Sequence, residues 1–325
     1  MLSEHKPLIT VFGAMSKQGR SVTRTLLESQ RYRVRALTRS INSPIAQELK
    51  YLGAELKELS IESDNLYNLI EAFKGSAGVF LMTPSMIPQS RHTETHEIKL
   101  GRQLADAAVA AGVEHIIFSS LENVEKISNG KLWVPHFTDK GKIEEYIRTL
   151  PIISSFIQMA FFYTNLLEYY QPRKEGDQLI FPIYLPEDFR APFVNPLTAT
   201  GPAVLEMLDY REKYAGQTFP VIGEFLSPRE LVETFSRVTG KKAVYSSAVS
   251  RDEFLQHFPA FSGNDGLINE ITGMVEYTVQ YGYFHKNRDL QWSRNINPTS
   301  QTWEEFLINT GWQGDGCSFS LSSSS

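Results

Sequence analysis

The sequence predicts an α/β protein built on a doubly wound parallel sheet. Over the first 158 residues, short β-rich apolar runs alternate strictly with runs of helical spacing. Three of the helical runs stop at a glycine, Gly53, Gly75 or Gly112, the residue that most readily closes a helix. A glycine-bearing turn separates the first apolar run from the first helix. Right-handed crossovers of such units give one sheet with helices on both faces.

LITVFG (8–13) is the first strand, ending at a glycine, and SVTRTLLES (21–29) sets Val22, Leu26 and Leu27 at helical spacing. YRVRALTR (32–39) alternates Val34, Ala36 and Thr38 against Arg33, Arg35 and Leu37, the period of a strand. A helix over PIAQELKYLG (44–53) and a strand over AELKEL (54–59) follow. NLYNLIEAFKG (65–75) is helical, and AGVFLMT (77–83) is a buried strand closed by Pro84. HEIKLGRQLADAAVAAG (96–112) is an amphipathic helix and VEHIIFSS (113–120) the fifth strand. DKGKIEEYIRTL (139–150) and IISSFIQ (152–158) add one more helix and strand. Residues 1–158 thus read as a Rossmann-type domain. Beyond them the pattern loosens into FFYTNLLEYY, the proline-rich FPIYLPEDFRAPFVNP, helical runs near 198–209 and 228–239, and a strand-like KKAVYSSAV. We expect residues 159–312 to form a smaller mixed α/β lobe, with segments free to return to the main sheet. Residues 313–325 form a serine-rich tail, expected to be flexible.

Composition narrows the function classes. The 325 residues carry a net charge of −5, so no basic surface is expected to draw nucleic acid directly. Cys317 is the one cysteine, which rules out a disulfide framework within the chain and suits a reducing compartment. No signal peptide and no membrane span is expected, and the reading is a cytoplasmic protein, also compatible with the nucleus.

The turn between the first strand and first helix, VFGAMSKQGRSV (11–22), is a modified phosphate-binding loop. Gly13 and Gly19 stand where a dinucleotide loop has its first and third glycines, and Ser16 where it has its second. Helix N-termini hold anions because their first amides are unpaired and the dipole is positive there. A side chain at position 16 keeps backbone and phosphate further apart, although a serine hydroxyl can itself donate to phosphate. The second strand ends at Thr38-Arg39, without the acidic residue that accepts from the ribose hydroxyls of NAD. A guanidinium there suits a 2′-phosphate, so NADP(H) is expected over NAD(H).

GAMSKQGRSV, RALTR, SSLENVEKISNGKL, HFTDKGKIEEYIR and FFYTNLLE together resemble the NmrA-like branch of the atypical short-chain dehydrogenases/reductases. The likeness runs from about residue 7 to 310 and is densest between 93 and 170. It implies an NADP-binding Rossmann domain with a small C-terminal lobe. It also implies a regulator or redox sensor acting through a transcription factor or signalling protein, as a monomer or homodimer. Relatives in the wider group reduce quinones and similar small molecules. By position, Gly13, Met15, Gln18 and Gly19 fall in the family's phosphate loop, with Ser16 among them. Arg39 falls at its 2′-phosphate reader, Thr83 and Pro84 near the middle of the cofactor, and Lys140 near the nicotinamide ribose. Phe162, Tyr163 and Asn165 face the nicotinamide end. The chain departs from the family at Met15-Ser16, at Ser60, at Gln158 and at Ala160.

Short-chain dehydrogenases place a tyrosine four residues before the lysine, as proton donor. Here that position is His136, so no Tyr-x-x-x-Lys is present. Histidine can serve as a general acid near neutral pH. Tyr163, in the aromatic run Phe161-Phe162-Tyr163, is the other candidate donor, and Lys140 completes the catalytic set. His92 and His96 lie four apart, but Thr93 stands where metalloprotease spacing needs glutamate, and no metal is expected. The reading is therefore an NADP(H)-binding regulator. The alternative is an NADPH-dependent oxidoreductase of a small carbonyl or quinone-like metabolite, and a third is a nucleotide-free ligand-binding member.

Overall fold

The computed structural model describes residues 6–59, 66–85, 95–285 and 289–315. Ser60, His92 and Cys317 lie outside the described residues. The strands in chain order are β1 (Leu8–Val11), β2 (Arg33–Thr38), β3 (Glu55–Glu58), β4 (Gly78–Leu81), β5 (His115–Ser120), β6 (Ile153–Met159) and β7 (Phe161–Phe162). They continue with β8 (Arg173–Glu175), β9 (Gln178–Ile183), β10 (Ala191–Val194), β11 (Thr218–Val221), β12 (Glu224–Leu226) and β13 (Lys242–Ser247). The helices of the first half are α1 (Lys17–Glu28), α2 (Pro44–Tyr51), α3 (Leu66–Phe73), α4 (His96–Ala110), α5 (Val124–Ile127) and α6 (Pro135–Ile147). Those of the second are α7 (Tyr163–Glu168), α8 (Pro196–Asp209), α9 (Arg211–Tyr214), α10 (Pro228–Thr239), α11 (Arg251–His257), α12 (Asp265–Tyr281), α13 (Leu290–Ile296) and α14 (Trp303–Thr310).

The main sheet runs β11-β6-β5-β4-β1-β2-β3. Every neighbouring pair is parallel. This is the doubly wound α/β architecture expected from the alternation. β1, β4 and β5 are buried along their whole length, in keeping with the apolar centres of LITV, GVFL and HIIFSS. β3 closes one edge and is half exposed, in keeping with its sequence ELKE. Apolar cores cover both faces, one centred on Val11, Val22 and Ile157, the other on Phe73, Leu104 and Phe118. The strand order reverses between β1 and β4, so a crevice opens there at the carboxyl ends of the strands.

The second half returns to this sheet twice. β11 pairs in parallel with β6, Thr218 opposite Phe156, and forms the other edge. α8, the run read as helical near 198–209, crosses α1. The Gly201 N–H donates to Ser21 Oγ at 2.9 Å. A Cβ at Gly201 would stand 2.1 Å from Thr25 Oγ1, so only glycine permits the crossing. The remaining strands form two small sheets, β12-β10-β7 and β13-β9-β8. β7 follows β6 directly and pairs with β10, carrying the chain from the large sheet to a small one.

Candidate functional site

The loop after β1 is closed by its glycines. Gly13 has φ +78° and stands against Met82, at the end of β4. A Cβ at Gly19 would meet Gly13 O at 2.2 Å and Ala14 Cα at 2.6 Å, so the first turn of α1 lies directly on the loop backbone. Ser16 is the N-cap of α1: its Oγ accepts from Gly19 N–H at 3.0 Å. Its own proton stays available to an anion. Lys17 and Gln18 are the first two helical residues, whose amides have no acceptor inside the helix. Met15 is half-buried and packs on the core. The Gln18 side chain is drawn inward, its Oε1 accepting from Ser119 Oγ at the end of β5 at 2.7 Å. Lys17 pairs with Glu168 on α7.

Arg39 follows β2 and is exposed. No hydrogen-bond or ion-pair partner is found for it among the described residues, whereas Arg35 on the same strand is paired with Glu55 at 2.7 Å. Arg39 thus stands at the end of the strand next to β1 with its guanidinium unengaged among the described residues.

Beyond β4 lies a buried polar cluster. Thr83 is 1% exposed, and its hydroxyl donates to Glu97 Oε1 at 2.6 Å. The same oxygen is ion-paired with Lys140 Nζ, which also donates to Ser85 Oγ at 3.1 Å. Lys140 is 7% exposed and Glu97 fully buried, with no hydrogen-bond partner for Glu97 Oε2 among the described residues. A buried pair of this kind is held by mutual need, since either charge alone would be stranded. Asp139, beside Lys140, is buried too. Burial pushes its carboxyl up to about 6; a Thr95 hydrogen bond opposes this and the Glu97 charge adds to it.

This cluster has a counterpart in His115 at the start of β5, bonded through Nε2 to Ser155 Oγ at 2.8 Å. Burial, with a smaller contribution from Arg211, pushes its imidazole down to about 4. The two act in opposite senses. Asp139 binds its proton more tightly folded than unfolded, so it adds stability as pH falls through about 6 towards 3.8. His115 binds its proton less tightly folded, so it removes stability as pH falls through 6.5 towards 4. Replacing His115 by asparagine should therefore be most harmful at neutral pH. Urea unfolding should show its penalty shrinking by about 3 kcal/mol between pH 7 and pH 4. A penalty that does not change with pH would show that His115 titrates alike in both states.

His136 is the second residue of α6, a helix without a side-chain N-cap. Its backbone N–H donates to Glu270 Oε1 on α12 at 2.9 Å, and its ring Nδ1 lies 2.6 Å from the same oxygen. Phe137 packs edge-on against the ring at 4.6 Å. Glu122, just past β5, accepts from the Tyr277 hydroxyl and from His285 N–H, so α12 and its continuation rest over the carboxyl ends of the strands.

Tyr163 requires a correction. It is fully buried, stacked on Phe193 and packed against Trp303 and Phe306. Its hydroxyl donates to Glu224 Oε1 at 2.8 Å. Burial first, and then the Glu224 charge, push its pKa far above the ordinary tyrosine value. It is a core residue, and its proton is not offered to the cleft. Phe162 and Asn165, by contrast, are half-buried at the start of α7. Gly13, Met15, Ser16, Gln18, Gly19, Arg39, Thr83 and Lys140 all lie at or just beyond the carboxyl ends of β1, β2 and β4 or on the adjoining α6.

Glu97, Glu122 and Glu270 escaped the sequence reading. Glu97 was legible: it shares one helical face with Gly101, Leu104 and Ala108, all buried. The partners of Glu122 and Glu270 lie more than 130 residues away in sequence, and no local pattern marks them.

A model of the NmrA-like family matches residues 5–307. An NmrA-like family domain-containing protein of Dictyostelium discoideum is 34% identical over 316 residues, covering 94% of this chain and 99% of its own. An NmrA-like family domain-containing oxidoreductase of Aspergillus hancockii is 33% identical over 259 residues, 76% of this chain and 77% of its own. Crystal structures of NmrA, a negative transcriptional regulator, in complex with NAD and with NADP align with TM-scores of 0.76 and 0.75. Identity is 23% in both, over 93% of this chain and 94% of theirs.

Proposed function

The chain belongs to the NmrA-like family, and on that premise we propose that it is an oxidoreductase that binds NADP(H) across the β1–β4 crevice and reduces a small carbonyl or quinone-like metabolite. The single observation carrying the cofactor choice is Arg39, an exposed guanidinium, without a partner among the described residues, where an NAD site has a carboxylate. The loop fits the pyrophosphate: two obligatory glycines bring the chain onto the N-terminus of α1, and Ser16 caps it without using its hydroxyl proton. Thr83, Phe162, Asn165 and Lys140 would line the path to the nicotinamide. When bound, the dinucleotide would supply a hydride, and reduction of a carbonyl or quinone oxygen takes up a proton as well. His136 is the side chain able to give it, since Tyr163 is sequestered and Lys140 is committed to Glu97. Relatives about one-third identical carry the name oxidoreductase, which supports this reading over the regulatory one.

The second reading is a nucleotide-state sensor acting on a transcription factor or signalling protein. The missing Tyr-x-x-x-Lys and the buried Tyr163 favour it.

Calorimetric titration with NADP+, NADPH, NAD+ and NADH separates these claims. Wild type should prefer NADP(H). Arg39→Ala should lose about tenfold or more for NADP(H), the share of one charged hydrogen-bond pair, and little for NAD(H). Equal loss for both would remove Arg39 as the 2′-phosphate reader, and no binding of any of the four would remove the cofactor. Oxidation of NADPH with para-benzoquinone as acceptor then distinguishes enzyme from sensor.

A further inference from the structure

We infer that Glu270 is a positioning residue that fixes one hydrogen of His136 on Nδ1, so that Nε2 takes a proton from solvent and, from the imidazolium, passes it to substrate, returning the ring to the Nδ1–H tautomer. The geometry stands on its own; the role in proton transfer rests on the oxidoreductase reading above. A single oxygen, Glu270 Oε1, faces two nitrogens of His136, the backbone N at 2.9 Å and ring Nδ1 at 2.6 Å. The Glu270 side chain is 4% exposed, and a buried carboxylate accepts rather than donates, so Nδ1 carries the hydrogen. The ring is 24% exposed, and no hydrogen-bond partner is found for Nε2 among the described residues. A histidine held from behind by a carboxylate, with its far nitrogen open, is the arrangement that fixes tautomer and orientation in acid–base sites generally.

The placement is built into α12. Glu270, Gly273 and Tyr277 lie three and four residues apart, on one helical face. All three reach the segment 122–136. Gly273 lies so close to Trp133 that a Cβ would stand 2.9 Å from its carbonyl oxygen, and Tyr277 donates to Glu122. That close approach brings the Glu270 carboxylate to the N-terminus of α6, where its charge also meets the helix dipole. Lys140, one turn further along α6, shares the face of His136 and lies at the end of β4 beside Ser85 and Thr83. Glu270 therefore caps α6 and orients the imidazole with the same oxygen. A purely structural cap would need only the backbone bond.

The test is nitrogen-15 NMR of the full-length protein labelled at histidine, with His136 assigned by the signals lost in His136→Gln. Neutral His136 should show hydrogen on Nδ1 and a bare Nε2. Free imidazole side chains favour the opposite form, so an Nε2–H ring in wild type would overturn the inference. Glu270→Leu should return His136 to the Nε2–H form; an unchanged tautomer in a folded Glu270→Leu would also overturn it. The kinetic counterpart uses NADPH and para-benzoquinone. Glu270→Gln should lower kcat by about a hundredfold, the usual reach of one general acid, at nearly constant KM, and Glu270→Asp should recover part of it. Unchanged kcat in Glu270→Gln would overturn the role. If wild type binds NADPH, transfers no hydride and still holds the Nδ1–H form, the oxidoreductase reading falls and the positioning of His136 by Glu270 stands.

Discussion

Replacing Lys140 by methionine should destabilise the protein by about 3–5 kcal/mol, the measured range for stranding a buried charge. The reason lies in Glu97. Its carboxylate is fully buried, with Thr83 and Lys140 sharing one oxygen and, among the described residues, no hydrogen-bond partner on the other. Removing the ammonium leaves one hydroxyl hydrogen bond to hold a negative charge away from water. The repair is also specific. Glu97→Gln combined with Lys140→Met removes both charges, keeps an acceptor for Thr83, and should recover most of the lost stability. Urea unfolding of the two single variants and the double variant closes the cycle. A Lys140→Met protein within about 1 kcal/mol of wild type would show the pair to be solvated and dispensable. The double variant also separates two jobs. If it folds normally but no longer oxidises NADPH, the lysine serves the site as well as the core.

Gly19→Ala is expected to abolish tight dinucleotide binding. The added methyl would lie 2.2 Å from Gly13 O and 2.6 Å from Ala14 Cα, both backbone atoms that cannot rotate away. The loop must therefore lift off α1. The strain should cost about 1–3 kcal/mol of stability, the usual range for overpacking. The effect on binding should be larger. Amides at the start of α1 would no longer converge on one point, and losing one or two charge-assisted hydrogen bonds weakens affinity by about a hundredfold or more. Calorimetry with NADP+ and NADPH measures it directly. Undiminished affinity in a folded Gly19→Ala protein would mean that the nucleotide does not use this loop. Because the Ser16 cap bond is made to Gly19 N–H itself, a Ser16→Ala variant, which loses the cap without the clash, serves as the control.

The six strands of the first half were legible because each is local. A run such as GVFL is apolar and β-rich and carries its structure in four consecutive residues. The loop at 11–22 was legible for the same reason, since Gly19 is required by contact with Gly13 and Ala14 in the loop itself and Gly13 by its own positive φ. β11 was not. TFPV is four residues long, contains a proline, and earns its place only by pairing with β6 some sixty residues earlier. The site divides in the same way. Positions on the strand ends followed from topology once the sheet was recognised. The electrostatic partners did not, because Glu270 and Glu224 act across helices and sheets far apart in sequence. Tyr163 shows how such a partner changes a reading. Its place in an aromatic run suggested a proton donor, but its ring is packed in the core and its hydroxyl is bonded to Glu224.

The late return of β11 and α8 bears on how the chain is made. On the ribosome, β6 is complete 59 residues before Thr218, the first residue of the strand that covers its edge. During that interval a parallel strand edge and the outer face of α1 stand open to other chains. The nucleotide half cannot finish folding as it emerges; it waits for residues of the second half. A truncation near residue 160, at the natural-looking boundary, should therefore yield an aggregation-prone fragment, and nascent chains should gain protease resistance only after residue 221 has cleared the exit tunnel.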